Sequence, residues 1–556
     1  MKLRVLIIGG YGTFGGRLVR LLADEPELEI VVAGRSLAKA QAFCAGLSGV
    51  AVFVPARFDR DGDAAAQMFA LSPGLVVDAS GPFQSYGDAP YRVVQAAIAL
   101  GIHYVDLADA TGFVCGISQF DAPAKAAGVF ALSGVSSVPV LNFAAARALS
   151  AGMMRLEQLG GGIAPSPRVK VGLNVVRAIA AGAGQPFAVL QAGKPGRAYG
   201  LTQARRFTIC PPGVLSLPSI RFCRVDTPDQ PLAAAVWPEL HEVWMGAGTR
   251  PEMLLRGLSG LAWLVRWQLL PSLAPFARLF WRVGNRLRWG EHRGGMFVTV
   301  TGADAADRPV AGAWHLVAQG DNGPFIPAMA SAVIIQKMLA GQNPPAGARP
   351  AIAEHELADF AALFAAKGIV TGITDESAQR PLYRQILGAA FDALPEPVRD
   401  LHDLSGERTL RGRARVERGN HPLARLVAAM VGFPKAGADI AVEVKFTKQP
   451  DGSEIWQRTF AGRSFVSVQS AGQGRWQRMI CERFGPVSVA LAMVRDGEKL
   501  RIIVRHWHFL VLPLPRWLAP GGNTYEFAED GRFCFHVEIS HPLLGLIVRY
   551  RGWLAS

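Results

Sequence analysis

Leu3-Arg4-Val5-Leu6-Ile7-Ile8 runs straight into Gly9-Gly10-Tyr11-Gly12-Thr13-Phe14-Gly15-Gly16, and Arg17-Leu18-Val19-Arg20-Leu21-Leu22 follows with apolar residues at helical spacing. This is a strand, a glycine turn and a helix. The turn holds G-x-G-x-x-G at Gly10, Gly12 and Gly15. In that pattern Gly10 permits the tight turn, Gly12 lets backbone approach a pyrophosphate, and Gly15 lets the helix pack on the strand. Thr13 and Phe14 sit at the start of the helix, where free N–H groups and the helix dipole favour phosphate. The bland alternative is a tight turn with no ligand.

The next strand indicates which dinucleotide. Glu29 to Ala33 reads EIVVA and ends in Gly34-Arg35-Ser36. A site for a free ribose 2′-hydroxyl usually carries Asp or Glu here, and a site for a 2′-phosphate carries Arg. Arg35 lies 20 residues after Gly15, and the turn holds no acid. A guanidinium can grip a phosphate bidentately, and Ser36 adds a hydroxyl. The expected cofactor is therefore NADP(H). The alternative is that Arg35 is a solvated surface charge.

Further strands are expected at Val50–Val54, Gly74–Ala79, His103–Leu107 and Val129–Ser133, with a helix over Tyr91–Leu100. Strands alternating with helices imply a parallel sheet covered on both faces. Ligands in such sheets lie beyond the carboxyl ends of the strands. That places Asp59, Ser80, Gly81, Pro82 and Phe83 beside the turn as cofactor candidates. The catalytic candidates are Tyr104, Asp106, Ser136 and Ser137, which follow the strands nearest the nicotinamide. Asp106 has a structural alternative, holding backbone at the sheet edge. No Ser/His/Asp or Cys/His arrangement argues for a nucleophile.

Five segments in order, GGYGTFGGR, AGRS, DASGPFQSYG, HYVDLAD and GVSSVP, resemble the saccharopine dehydrogenase-like oxidoreductases. The resemblance covers about the first 140 residues and extends faintly to Gly323-Pro324-Phe325-Ile326-Pro327-Ala328, where such proteins return a proline-marked helix to the nucleotide domain. It implies a Rossmann domain, an α+β second domain and a nicotinamide cofactor. Two departures argue against saccharopine as the substrate. Ser136 stands where the family often has Asp, and the chain has a long C-terminal extension. That extension, through Leu394-Pro395, Leu401-His402, Trp456-Gln457-Arg458-Thr459-Phe460, Leu512-Pro513-Leu514-Pro515 and His541-Pro542-Leu543-Leu544-Gly545, resembles an uncharacterised domain fused behind such reductases.

The fold class expected is α/β, with a Rossmann domain over 1–135, an α+β substrate or dimerisation domain over 136–345, a linker region over 346–381 and a β-rich antiparallel domain over 382–556. The Pro/Gly stretch Gly341–Pro350 reads as linker, and a second boundary is placed near Gln379–Leu382. The C-terminal part alternates over many short strands with Asp-Gly turns, the pattern of a meander or curved antiparallel sheet. Helices are expected over Tyr383–Leu394 and Pro422–Val431. Such a sheet either encloses an apolar cavity or fills its core. His506 and His508 share a strand face, with His536 and His541 nearby, but no acid completes a ligand pattern, so no metal is expected. Glu482 with Arg483 is expected as a buried polar pair.

The net charge is +14 among 556 residues. No nucleic-acid-binding signature accompanies it, so nucleic acid is not an expected partner. Between Met253 and Gly290 there is no acid, but Arg256, Arg266, Arg278, Arg282, Arg286 and Arg288 alternate with Trp263, Trp267, Trp281 and Trp289. Charges and the prolines Pro271 and Pro275 make 254–290 a poor transmembrane span. It reads as two amphipathic helices suited to a membrane surface. The alternatives are a hairpin packed on its own domain, a homodimer face, or an apolar lid over a substrate cleft. Cys44, Cys115, Cys210, Cys223, Cys481 and Cys534 form no C-x-x-C, as in reduced cytosolic proteins. No charged-then-apolar leader is seen, so a cytoplasmic protein, peripheral to the inner face of the membrane if 254–290 binds it, is expected.

The expected function is an NADP(H)-dependent oxidoreductase acting on C=O, C=N or C=C in a small, apolar or lipid-like substrate. The alternative is a membrane- or lipid-binding protein whose Rossmann domain senses NADP(H) without turnover.

Overall fold

The computed structural model describes residues 2–376, 381–404, 406–449, 451–510 and 512–555. The chain divides into two compact units. One holds Met1–Arg205, Arg221–Val310 and Val317–Val370, and the other Arg206–Ile220, Ala311–Leu316 and Thr371–Ser556. Of the boundary placed near Gln379–Leu382, Gln379 and Arg380 lie outside the described residues.

The first unit opens with strands β1 (Leu3–Ile8), β2 (Leu28–Gly34), β3 (Val52–Arg57), β4 (Leu75–Asp78), β5 (His103–Asp106) and β6 (Phe130–Ser133). Helices α1 (Gly15–Leu21), α2 (Leu37–Ala45), α3 (Ala64–Leu71) and α4 (Arg92–Ala99) alternate with them. The strands lie in the order β6-β5-β4-β1-β2-β3, all parallel. Val5 to Ile8 and Ile30 to Ala33 are buried on both faces, as the continuous apolar runs require. The chain therefore reverses direction of travel at β1, and the crevice beyond β1 and β4 is the topological switch point where ligands bind.

One stretch departs from expectation. Gly347–Pro350, at the end of the segment read as linker, is a seventh strand that pairs in parallel with β6. Its glycine and proline argued against a strand. As an edge strand it needs ladder bonds on one side only, which is where proline is tolerated.

The same unit holds a mixed sheet that includes Ile220–Arg224, Glu242–Gly248, Arg155–Ala164 and Arg293–Ala303. Glu242–Gly248 and Arg155–Ala164 run parallel, and their outer neighbours are antiparallel to them. The Trp/Arg segment forms the helices Glu252–Arg266 and Ala277–Arg286, with Pro271 and Pro275 between them. Leu255, Ala262, Val265, Leu273 and Ala277 are buried in one cluster with Ala180 and Cys223. Trp267, Leu269, Phe276, Leu279, Val283 and Trp289 remain exposed. The hairpin thus packs one face on its own unit and leaves the other open. No helix among the described residues is long and apolar enough to cross a membrane.

Among the described residues of the second unit, ten antiparallel strands close into a barrel. Gly437–Lys448 pairs with Glu407–Arg418, which pairs with Gly545–Ala555. The ring closes where Val487–Asp496 and Lys499–Phe509 pair. The β-rich domain expected here is found, and closure removes the open edges that a curved sheet would leave. The helices are Leu382–Leu387, Ala389–Asp392, Glu396–His402 and Pro422–Val431. Glu407–Arg418 was not expected as a strand, because seven charged side chains mask its inward residues Leu410, Ala414 and Val416. Glu482 pairs with Arg458 at 3.2 Å rather than with Arg483, which alternation turns outward to solvent.

Candidate functional site

The turn after β1 is built so that no side chain intrudes. Gly9 has φ +77°, the left-handed region, so the sharp reversal belongs to Gly9 rather than to Gly10. A Cβ on Gly10 would lie 2.9 Å from the Ile7 carbonyl oxygen, one on Gly12 2.9 Å from the Gly9 oxygen, and one on Gly15 2.3 Å from that same oxygen. The cradle is closed to anything but glycine and leaves bare backbone facing outward. Thr13 and Phe14 lead into α1.

At the end of β2, Arg35 is exposed and Ser36 caps α2, its Oγ accepting from the Lys39 N–H at 3.4 Å. The Tyr11 hydroxyl accepts from the Ser36 N–H at 3.0 Å and lies over Gly34. Two candidate segments are therefore tied through Tyr11, which the glycine pattern leaves as an unspecified position. Gly34 is in register with Arg57 of β3, so a second exposed arginine lies at the same end of the sheet as Arg35. Asp59 lies farther along. It accepts from the Asp61 N–H and is bracketed by Gln67, whose Oε1 takes the Asp59 N–H at 2.8 Å.

Beyond β4 the structure adds residues to the expected Ser80–Phe83 segment. Asp78 is buried, and its Oδ1 accepts from the Ser80 N–H at 3.0 Å and from the Ser80 hydroxyl at 2.6 Å. Tyr86 donates to Asp78 Oδ2 at 3.2 Å and lies 2.9 Å from Ser80 Oγ. The Arg60 guanidinium sits 3.3 Å from the centre of the Tyr86 ring. Burial pushes the Asp78 carboxyl up, partly offset by Ser80 and Arg60, and burial with the Asp78 charge pushes Tyr86 up. Ser80 Cα lies 3.0 Å from where a Gly9 Cβ would be, so this cluster abuts the cradle. Gly81 and Pro82 line the same side, whereas the Phe83 ring turns into an aromatic cluster with Tyr86 and Phe113, at 4.7 and 5.1 Å.

Tyr104 and Asp106 are wholly buried. Tyr104 lies in the sheet core with Leu6, Ile8 and Val76, and burial and the Asp106 charge raise its pKa. Asp106 Oδ1 accepts from the N–H groups of Ala108 and Gly134, at 2.9 and 2.8 Å, and from the Ser133 hydroxyl at 3.0 Å. Its carboxyl is pushed up to about 7, chiefly by burial. It clamps the turn that carries Ser136 and Ser137, which are 8% and 7% exposed.

The far wall comes from the mixed-sheet part of the same unit. A Cβ on Gly172 would lie 3.3 Å from Thr13 Oγ1, and Asn174 Nδ2 donates to the Gly81 carbonyl at 3.1 Å. Next to them, Val171 is held at both backbone groups. Its N–H goes to Asn285 Oδ1 at 3.0 Å, and its carbonyl accepts from Trp281 Nε1 at 2.9 Å. The Trp/Arg helices thus anchor the segment that faces the cradle. Sequence spacing alone offered no signal for Asn174 or Val171.

Residues 5–132 match the saccharopine dehydrogenase NADP binding domain. The N-terminal domain is an NADP-binding domain of the saccharopine dehydrogenase type. The glycine cradle and the acid-free end of β2 fit that cofactor. Residues 394–554 match a domain of unknown function. Among solved structures, the chain is similar to apo saccharopine dehydrogenase (L-Glu forming) from Saccharomyces cerevisiae, with 14% identity, 67% of this chain and 99% of that chain covered, and TM-score 0.48. A meso-dapdh mutant from Clostridium tetani with DAP gives 13% identity, 65% and 96% coverage, and TM-score 0.32. GenD2 from gentamicin A biosynthesis, in complex with NAD, gives 14%, 56% and 72%, and 0.27. No curated protein gives a significant match. The domain match supports an oxidoreductase.

Proposed function

We propose that this chain is an NADP(H)-dependent oxidoreductase that acts on a C=O, C=N or C=C bond in an apolar small molecule. The observation that carries the reading is the wall formed by Gly172 and Asn174 against Thr13 and Gly81, anchored through Val171 by Trp281 and Asn285. It brings the start of the apolar helix Leu173–Gly182 against Thr13 and Gly81, with the Trp/Arg hairpin behind it through Val171. A nicotinamide bound there supplies or accepts the hydride, and the protein supplies orientation and a proton.

The cradle holds the pyrophosphate, and Arg35 with Arg57 holds the 2′-phosphate. Tyr104 and Asp106 act as positioning residues, because neither reaches solvent. Asp78 accepts from the Ser80 and Tyr86 hydroxyls and so holds both in place, half-buried at the crevice, where one of them passes its proton to the substrate. Ser136 and Ser137 orient the carboxamide or a substrate oxygen. The test is NADPH consumption across small amino and keto acids and apolar carbonyl, imine and enoyl compounds. Turnover of apolar compounds that falls about a hundredfold in Tyr86→Phe, with NADPH affinity kept, supports the scheme. Preference for amino acids refutes the substrate class.

A second reading is favoured by one observation. Trp267, Leu269, Phe276 and Leu279 are 45–68% exposed in a segment whose only charges are arginines. Such a surface suits anionic lipid. Flotation with anionic vesicles, lost in Trp267→Ala/Leu269→Ala, would add peripheral membrane contact. Flotation without turnover on any substrate would favour a lipid-binding protein that senses NADP(H).

A further inference from the structure

The barrel of the second unit encloses a cavity of about 560 Å³. Its wall is apolar over most of its area, with Phe446, Leu491, Ile502, Val504 and Phe533 facing inward. Protein interiors are normally packed without voids of this size, since each missing neighbour forfeits dispersion contacts. A volume in this range is that of a small-molecule pocket. The cavity also has a mouth. Met430, on the helix Pro422–Val431, and Phe509 both line it, yet they are 71% and 45% exposed.

Polar groups gather at one place in the wall and are joined to one another. Arg458 donates to Ser467 Oγ at 2.7 Å and to Glu482 Oε1 at 3.2 Å. That oxygen also accepts from Ser467 at 2.7 Å and from Gln469 at 3.1 Å. Gln469 Oε1 accepts from the Tyr383 hydroxyl at 3.0 Å. The Tyr383 ring stacks on His402 at 3.6 Å, and His402 Nε2 lies 2.6 Å from Glu526 Oε2. Tyr383, Gln469, Glu482 and Glu526 all border the cavity. Strand alternation also turns Glu454 inward, where it accepts from Trp456 Nε1 at 3.1 Å.

The charges decide the ligand class. The inward acids Glu482 and Glu526 are paired with Arg458 and His402, and Glu454 lies near His402 and Lys448. Glu538, also at the border, is bridged to Arg549 at 2.7 Å. Among the described residues lining the cavity, Arg458 is the one guanidinium and is already engaged by Glu482 and Ser467, and with His541 at the border it faces three carboxylates, Glu482, Glu526 and Glu538, so the wall disfavours an anionic head group. Burying an unpaired charge is costly, whereas a hydroxyl or carbonyl needs only a donor or acceptor, which Tyr383, Gln469 and Glu482 offer.

We propose that the barrel is a binding site for an uncharged, largely apolar small molecule bearing a hydroxyl or carbonyl group at its inner end. The site is lined by residues of the second unit and does not depend on the dehydrogenase reading.

The test uses the purified full chain and Nile red, an uncharged apolar dye, titrated by fluorescence and displaced with a medium-chain primary alcohol, the matching methyl ketone and the matching carboxylate. The expected result is saturable dye binding, with the alcohol and ketone displacing at concentrations at least about tenfold below the carboxylate. Ile502→Trp, which fills the cavity, abolishes dye binding while NADPH binding and cooperative unfolding persist. Dye held on the exposed Trp267 face would survive that change. Should Ile502→Trp fail to fold, Val504→Phe adds less volume and decides the matter. Absence of saturable binding, preference for the carboxylate, or dye binding unchanged in a folded cavity-filled variant overturns the proposal. Failure of NADPH to bind would refute the dehydrogenase reading and leave this result standing.

Discussion

Asp106 Oδ1, at the end of β5, accepts the Gly134 N–H across 2.8 Å, and so fixes the turn after β6 from inside the sheet. Gly134 has φ +76°, and a Cβ there would meet Pro139 at 3.0 Å, so the turn has a single workable backbone. The other carboxyl oxygen of Asp106 is buried without a partner. Removing the acceptor with Asp106→Ala would strand three buried donors, at about 2–4 kcal/mol.

The same residue sets a pH dependence. Its carboxyl is pushed up to about 7 in the folded state, against about 4 in an unfolded chain. The folded state therefore holds the proton more tightly. This contribution to stability is complete below about pH 4 and is lost as pH rises towards 7. Asp106→Asn keeps the Oδ1 acceptor and has no proton to lose. Its thermal unfolding temperature should vary less between about pH 4 and 7 than that of the wild type. Parallel curves for the two proteins would refute the assignment.

Gly15→Ala places a methyl 2.3 Å from the Gly9 carbonyl oxygen and 3.0 Å from Gly10 Cα, both rigid backbone. Either the turn or α1 must shift, at about 1–3 kcal/mol. Since the cradle is that backbone, NADPH affinity should fall by at least about tenfold while the barrel cavity keeps its dye binding. Calorimetric titration with NADPH reads the first effect, and unchanged affinity would mean the cofactor does not lie on this turn.

Much of this site was legible because chain order and spatial order coincide in it. The glycine turn, Arg35 and Ser80 each follow a strand and Asp106 ends one, and in a parallel sheet every such position lies at one edge. Tyr11, Arg57, Asp78 and Tyr86 were not legible, for separate reasons. Tyr11 fills an unspecified place in the glycine pattern. Arg57 acquires meaning only from its register with Gly34, and Asp78 and Tyr86 only from their shared contact with Ser80. Asn174 comes from a distant part of the chain. In the second unit, the Asp-Gly turns marked hairpins well. Closure rests on Glu407–Arg418, whose outward arginines and glutamates hid an alternation that only pairing with Gly545–Ala555 reveals.

Arg35 and Arg57 are both exposed at one end of the sheet, and the β2 turn Gly34-Arg35-Ser36 holds no acid. Arg35→Ala should weaken NADPH by about 10–100-fold, the worth of one charge-assisted pair with phosphate, and leave NADH nearly unchanged. Arg57→Ala should act in the same direction, and the double variant should bind the two dinucleotides equally. Calorimetry with both nucleotides measures this. Equal loss for NADH and NADPH in Arg35→Ala would place the side chain on a part of the cofactor that the two share.

The barrel offers a sharper test of architecture, because at Gly412 and Gly552 two paired strands leave no room for a side chain. A Cβ on Gly412 would lie 1.8 Å from the Trp553 carbonyl oxygen, and one on Gly552 2.1 Å from that of Arg413. Both belong to the ladder between Glu407–Arg418 and Gly545–Ala555, where Gly412 pairs with Leu554 and Gly552 with Ala414. Glycine in a strand interior costs entropy and is kept where backbones approach or a barrel bends sharply. Gly412→Val has no flexible side chain to displace, only a paired strand, so it should open this seam and cost at least about 1–3 kcal/mol. The expected outcome is loss of saturable Nile red binding and a lower unfolding temperature, with NADPH affinity within about twofold of wild type, since the cradle at Gly9 to Gly15 is built from other residues. Dye binding that persists at full affinity in Gly412→Val would mean that the cavity does not depend on closure at this seam.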